Sequence, residues 1–186
     1  EAGNYVIVGK GARVRGGVID ISEGPVYLGE NVTIEPGAYL KGPSVIGDNS
    51  TLRTGAYVRG NALIGRKVVV RLEMKNAVVM DEAEMCHPGY CGDSVCGYRS
   101  HFGNQVTTAN LPMTTSKSIL LPTGTGLYDT GRRKLGCILG DHAQLGCGTV
   151  TEPGTFIGPH TVVYPLSRMK GGVYPGGSII KNKPME

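Results

Sequence analysis

Tryptophan is absent from this chain of 186 residues, and phenylalanine occurs only twice. A helical bundle or a sandwich built around aromatic anchors is a poor fit to that shortage. Also missing is any apolar run near the ~20 residues that a membrane span needs, and no leader of charged, apolar and then small residues opens the chain. These absences lead to the expectation of a soluble, cytoplasmic protein with no membrane partner. The five cysteines, Cys86, Cys91, Cys96, Cys137 and Cys147, are odd in number and include no Cys-x-x-Cys pair. That pattern argues against a secreted disulfide framework and against a structural zinc site. The net charge of +4 is spread along the chain without the aromatic-plus-basic blocks of a nucleic-acid binder, so a local anionic ligand fits it better than a polymer.

What the chain does have is turn formers, 30 glycines and 11 prolines. They punctuate a period. Leu28, Ile34, Leu40, Ile46, Leu52, Val58, Ile64 and Val70 follow one another at six-residue steps, with small or turn-forming residues between them. A helix repeats its apolar residues near every 3.6 positions and a strand every 2, so a period of six belongs to neither. Hexapeptide repeats specify a parallel β-helix in which three short strands and three turns make one triangular coil. The aliphatic residues then point inward and stack from coil to coil, ~4.8 Å apart. The fold class expected is all-β, a parallel β-helix of the left-handed kind by its resemblance to known hexapeptide proteins.

The register fails at Asn76, resumes weakly through Cys96, Phe102 and Thr108, and stops from Leu111 to Leu135. That last segment reads as a loop, and loops of such length in a compact repeat are usually functional. The period returns at Leu139, Leu145, Thr151, Ile157 and Val163. The tail, about 164–186, departs from it and is expected to cap the last coil.

The stretch from Met85 to Asn110, MCHPGYCGDSVCGYRSHFGNQVTTAN, is poor material for a core. His87 lies off the inward positions beside Pro88 and Gly89. Two readings stand open: a base that takes a proton from an attacking amine or hydroxyl, or a side chain that hydrogen-bonds a turn. His142 and His160, 18 residues apart, should stack on one outer corner. They are either two surface histidines or part of a zinc site shared between subunits, as in carbonic anhydrases of hexapeptide type.

HPGYCGD followed by TTAN at 107–110 resembles the His-x-x-Tyr-x-Gly-Asp and Thr-x-x-Asn segments of the acetyltransferase domain of bifunctional UDP-N-acetylglucosamine pyrophosphorylase/glucosamine-1-phosphate N-acetyltransferases. EMKN at 73–76 and DTGRRKLGCILGD at 129–141 are similar to further segments of that family. The resemblance implies acetyl transfer from acetyl-CoA to the amine of glucosamine 1-phosphate, in UDP-N-acetylglucosamine biosynthesis, with no metal needed for the transfer. It implies His87 as general base and Asn110 as the amide orienting near it. Tyr90, Lys75 and Arg53 would hold the sugar phosphate. His101 stands where the family has an asparagine that helps read the amino sugar, and Lys117 one step beyond Ser116, where the family has a phosphate-binding lysine. Acetyl-CoA would lie between adjacent subunits of a homotrimer, with Cys147 near the thioester and Arg132, Arg133 and Lys134 facing its phosphates. The nucleotidyltransferase half of the family lies outside these residues. Two other classes remain: a zinc-dependent hydratase of carbonic anhydrase type, and a non-catalytic module partnering a sugar nucleotidyltransferase.

Overall fold

The computed structural model describes residues 3–113 and 118–182. Its elements are strands, most of them two or three residues long, and no helix occurs among the described residues. They assemble into three long parallel sheets of nine, nine and eight strands, with one separate two-stranded hairpin. The first sheet runs from Val6–Val8 to Gly172–Tyr174, the second from Arg13–Val14 to Ile179–Ile180, and the third from Val18–Asp20 to Arg168–Met169. Every third strand pairs with its equivalent one coil on, which is a parallel β-helix of hexapeptide coils.

The period-six residues are the ones that point inward. Leu28, Ile46 and Ile64 line up in the first sheet, Ile34, Leu52 and Val70 in the second, and Leu40, Val58 and Met74 in the third, and all are buried. Each side chain removed from water in this way contributes on the order of 1.5–3 kcal/mol. The column through the coils is therefore the core. At the corner between the first and second sheets, Asn31, Asn49, Lys67, Glu82, Arg99, His142 and His160 all have positive φ, between 52° and 59°. The stack expected of His142 and His160 forms there, with ring centroids 4.8 Å apart and planes 6° from parallel.

The loss of register at Asn76 proves to be a contraction of the coil. Leu28, Ile46 and Ile64 pair at steps of 18 residues, but Ile64 pairs with Val79 in a step of 15. At the corner between the second and third sheets, Val70 and Met74 pair with Leu52 and Val58, so Arg71 and Leu72 do the work of Arg53 to Ala56. The coils continue without a break through Met85, Cys91, Cys96 and Phe102.

Two segments outside the strict period take a definite form. The segment expected as a loop insertion, so far as it is described (111–113 and 118–135), leaves the three coil sheets between Thr107–Thr108 and Cys137–Leu139 and docks back on the coils. Leu120–Thr123 and Gly126–Asp129 pair as an antiparallel hairpin, and Ile119 and Leu121 are buried. A Cβ on Gly154 would meet Leu121 Cδ2 at 2.6 Å and Ile119 Cγ2 at 2.9 Å, so the hairpin base docks on a later coil where a bare backbone makes room. In the tail, Arg168–Met169, Gly172–Tyr174 and Ile179–Ile180 pair in register as one more coil. Its step of 17 residues, seen in Ile157 opposite Tyr174, hides it from a strict period of six.

Candidate active site

Tyr90, Asp93 and Asn110 form one hydrogen-bonded unit in the middle coils, at the corner where the third sheet gives way to the first. Tyr90 begins the strand Tyr90–Gly92, and a Cβ placed on Gly92 would lie 2.3 Å from Tyr90 Oη and 2.6 Å from Cζ. The phenol ring thus folds back over Gly92, which explains why a glycine follows the tyrosine two residues on. There Asn110 Nδ2 donates to Tyr90 Oη at 3.1 Å and also to the Asp93 carboxylate. The other Asp93 oxygen accepts from Asn76 Nδ2 at 3.1 Å, and Asn76 Oδ1 accepts from Asn61 Nδ2 at 3.1 Å. Burial raises the Tyr90 pKa above its ordinary value, and the Asn110 hydrogen bond partly opposes that shift. A phenol that accepts from an amide and stays protonated keeps its own O–H free to donate outward.

Lys75 is half-buried and sits directly opposite Gly92 in the neighbouring coil, beside the folded ring. It makes no ion pair among the described residues. Glu73, two positions earlier, is taken by Arg59 at 2.7 Å, a pairing that raises the arginine's pKa further. Asp93 and Asn76 join the site through side-chain bonds that the sequence pattern does not announce. Asp93 closes the HPGYCGD segment and Asn76 the EMKN segment, and both take positive φ, 47° and 49°, at equivalent corners of successive coils.

His87 occupies the corner between the second and third sheets, in the turn between Glu84–Met85 and Tyr90–Gly92. It is exposed, and its imidazole has no hydrogen-bond or ring partner among the described residues. The turn itself is held by backbone bonds, with Pro88 O accepting from Gln105 N at 2.8 Å and Tyr90 N donating to Val106 O at 2.9 Å. The contracted coil precedes it, so two residues that would cover this corner are missing. Arg53 reaches the same corner: burial raises the Cys86 thiol pKa, and the Arg53 charge is what opposes it.

Cys147 is exposed at this corner too, two coils beyond His87, roughly 10 Å along the axis at the usual strand spacing. Asn110 lies at the opposite end of the third sheet, bonded to Tyr90 and Asp93 and not to His87. His101 lies elsewhere again, on the outer face of the second sheet. It faces Glu84, with Nδ1 3.3 Å from the carboxylate, in a groove shared with Arg99, His142 and Gln144. Its in-register pairing with Glu84 and Gln144 fixes it there, so the structure does not bring it to Tyr90. Arg132 and Lys134 line a groove with Asn61, Asn76 and Asp93, while Arg133 does not line it. Lys117 lies outside the described residues. Among those described, no three His, Cys, Asp or Glu side chains gather as metal ligands.

A model of the bacterial transferase hexapeptide, six repeats, matches residues 25–60. Those residues carry hexapeptide repeats of that type. The hexapeptide chain is 39% identical over 150 residues to a protein named "Uncharacterized acetyltransferase YaiX" from Escherichia coli O6:K15:H31, covering 80% of this chain and 65% of that protein. It is 32% identical over 99 residues to a bifunctional sugar-1-phosphate nucleotidylyltransferase/acetyltransferase of Sulfurisphaera tokodaii, covering 53% of this chain and 24% of the relative. It is 30% identical over 91 residues to the bifunctional protein GlmU of Methanococcus vannielii, covering 49% and 22%. The hexapeptide chain thus spans less than two thirds of each of these relatives.

Proposed function

We propose that this protein transfers an acetyl group from acetyl-CoA to the amine of an amino-sugar phosphate, with glucosamine 1-phosphate as the acceptor. The observation that carries the reading is the Tyr90 unit. A hydroxyl held as an acceptor by Asn110 has its proton left for a ligand, and Lys75 stands beside it, which together suit a phosphate. An uncommitted imidazole at the other edge of the same strand supplies a base. Relatives named as acetyltransferases, one of them also acting on sugar 1-phosphates, support the same class.

In this reading His87 accepts a proton from the sugar amine as its nitrogen attacks the thioester carbonyl and the N–C bond forms. A backbone N–H bears the developing oxyanion. The C–S bond then breaks, and the departing thiolate recovers the proton from the imidazolium. Arg53 adds charge at the His87 corner, and Cys147 lies along the path acetyl-CoA would take.

A homotrimer fits the outer surface. The middle residue of each strand in the first sheet faces outward, and these are apolar from end to end, from Ile7, Tyr27, Val45 and Leu63 to Phe156 and Val173. Ile7, Tyr27, Val45, Leu63 and Val173 are exposed in the single chain. The outward row of the second sheet is mixed, with Arg13, Thr51, Glu84, His101 and Gln144 among Val69, Val162 and Ile179. An apolar stripe of that length supports packing against other subunits through this face.

The test is thiol release from acetyl-CoA with glucosamine 1-phosphate beside a panel of other amino-sugar phosphates. Release with glucosamine 1-phosphate supports the proposal. A folded protein silent on the whole panel removes it and favours a non-catalytic module.

A further inference from the structure

The returning leg of the 111–135 segment brings two cations to the corner between the third and first sheets. Arg132 and Lys134, two residues apart, line a groove of about 480 Å³ whose other wall is Asn61, Asn76, Asp93 and Val95. Both are exposed, and neither makes an ion pair among the described residues. Their backbone is nevertheless fixed. Leu135 N donates to Asn110 O at 3.0 Å, Gly136 N to Asp93 O at 2.8 Å, and Ile119 N to Arg132 O at 2.9 Å. Two of those anchors, Asn110 and Asp93, belong to the Tyr90 unit. The cations are therefore tied to that unit by main-chain bonds and not left to a free loop.

Charge decides what the groove takes. Its one acid, Asp93, has each oxygen covered by an amide donor, from Asn76 and from Asn110. Its other polar side chains are the two cations, the amides of Asn61 and Asn76 and the Ser94 hydroxyl, set against apolar Val78, Val95 and Leu135, and Lys75 adjoins them next to Asn76. We propose that Arg132 and Lys134 form the specificity site for the acceptor's phosphate monoester, the guanidinium gripping two oxygens and the ammonium adding a point charge. The assignment rests on the acetyltransferase reading and moves this pair from the cofactor to the acceptor. Cys147, on the side where the thioester would lie, is at the opposite corner of the third sheet, whereas Asn76 and Asp93 are shared with the Tyr90 unit.

Steady-state kinetics of the full chain test it, with R132Q/K134Q beside the wild type and R15Q as a control for net charge on a distant coil. The Michaelis constant for glucosamine 1-phosphate should rise roughly tenfold to a hundredfold in the double variant while that for acetyl-CoA stays put. A rise in the acetyl-CoA constant instead, or no change in either, overturns the inference. If the wild type turns over no acceptor, the acetyltransferase reading fails separately, and phosphorus NMR titration with glucosamine 1-phosphate then decides this site alone. Binding by the wild type that the double variant loses upholds it, and binding that is equal or absent in both overturns it. Both side chains are exposed, so an unchanged thermal melt will show that the variant is folded.

Discussion

A single side chain at a corner can be removed without touching the core, and His87 is such a case. His87→Ala should cut acetyl transfer roughly 10²- to 10⁴-fold while leaving the thermal melt unchanged; a rate that survives would put the base elsewhere. Gly92 is the reverse, a residue whose side chain must be absent. With a Cβ 2.3 Å from Tyr90 Oη, Gly92→Ala drives the ring off Asn110, so stability should fall by about 1–3 kcal/mol and acceptor binding should weaken, read from denaturant melts and acceptor saturation curves. Tyr90 also predicts a pH effect. Burial raises its pKa above the ordinary 10.0, so its contribution to stability is complete below pH 10.0 and is lost as pH climbs through the raised value. Tyr90→Phe should flatten the alkaline fall in denaturant midpoint that the parent shows, and parallel curves would deny the effect. At this scale the motif residues were legible as types, because His, Tyr, Gly and Asp at those spacings are poor core material. Their wiring was not. Asn110 meets Tyr90 across 20 residues and Asp93 meets Asn76 across 17, and neither interval is a multiple of six.

Among the elements, the coils from Leu28 to Val70 could be read directly, since each inward position is aliphatic and each step is six. The coil from Ile64 to Val79 could not, because three residues are missing from it and the period-six frame slips. The last coil escaped for a similar reason, with Tyr174 opposite Ile157, where an aliphatic would be expected, and reached in a step of 17. The hairpin was hidden because its packing is not periodic: Leu121 finds its partner in Gly154, on a coil that comes later in the chain. Leu121→Ala should cost roughly 2 kcal/mol and expose the 111–135 segment to protease, measured by limited proteolysis beside a chemical melt. Protection equal to the parent would mean that the hairpin is held by its backbone bonds alone.

For the whole molecule, the first sheet's outer stripe sets how copies associate. Leu63→Glu together with Val45→Glu places two charges on it, and light scattering after size exclusion should then report a monomer where the parent is a trimer. A parent that is itself monomeric would leave the stripe without that role. The inward residues announce themselves every six positions, whereas the stripe draws one outward residue from each coil at steps of 15 to 18 through Leu63 and Val78, which is why it is visible only once the coils are stacked. The contracted coil has a further consequence, for how such a chain can change in length. The regular coils on one side of it, from Leu28 to Ile64, are nearly interchangeable, and a whole coil duplicated or deleted there slides the rest along the axis without altering any pairing. The short coil cannot be exchanged in that way. It acts as a fixed bookmark in a stack of like pages, and the corner of His87 keeps its shape however many pages are added ahead of it.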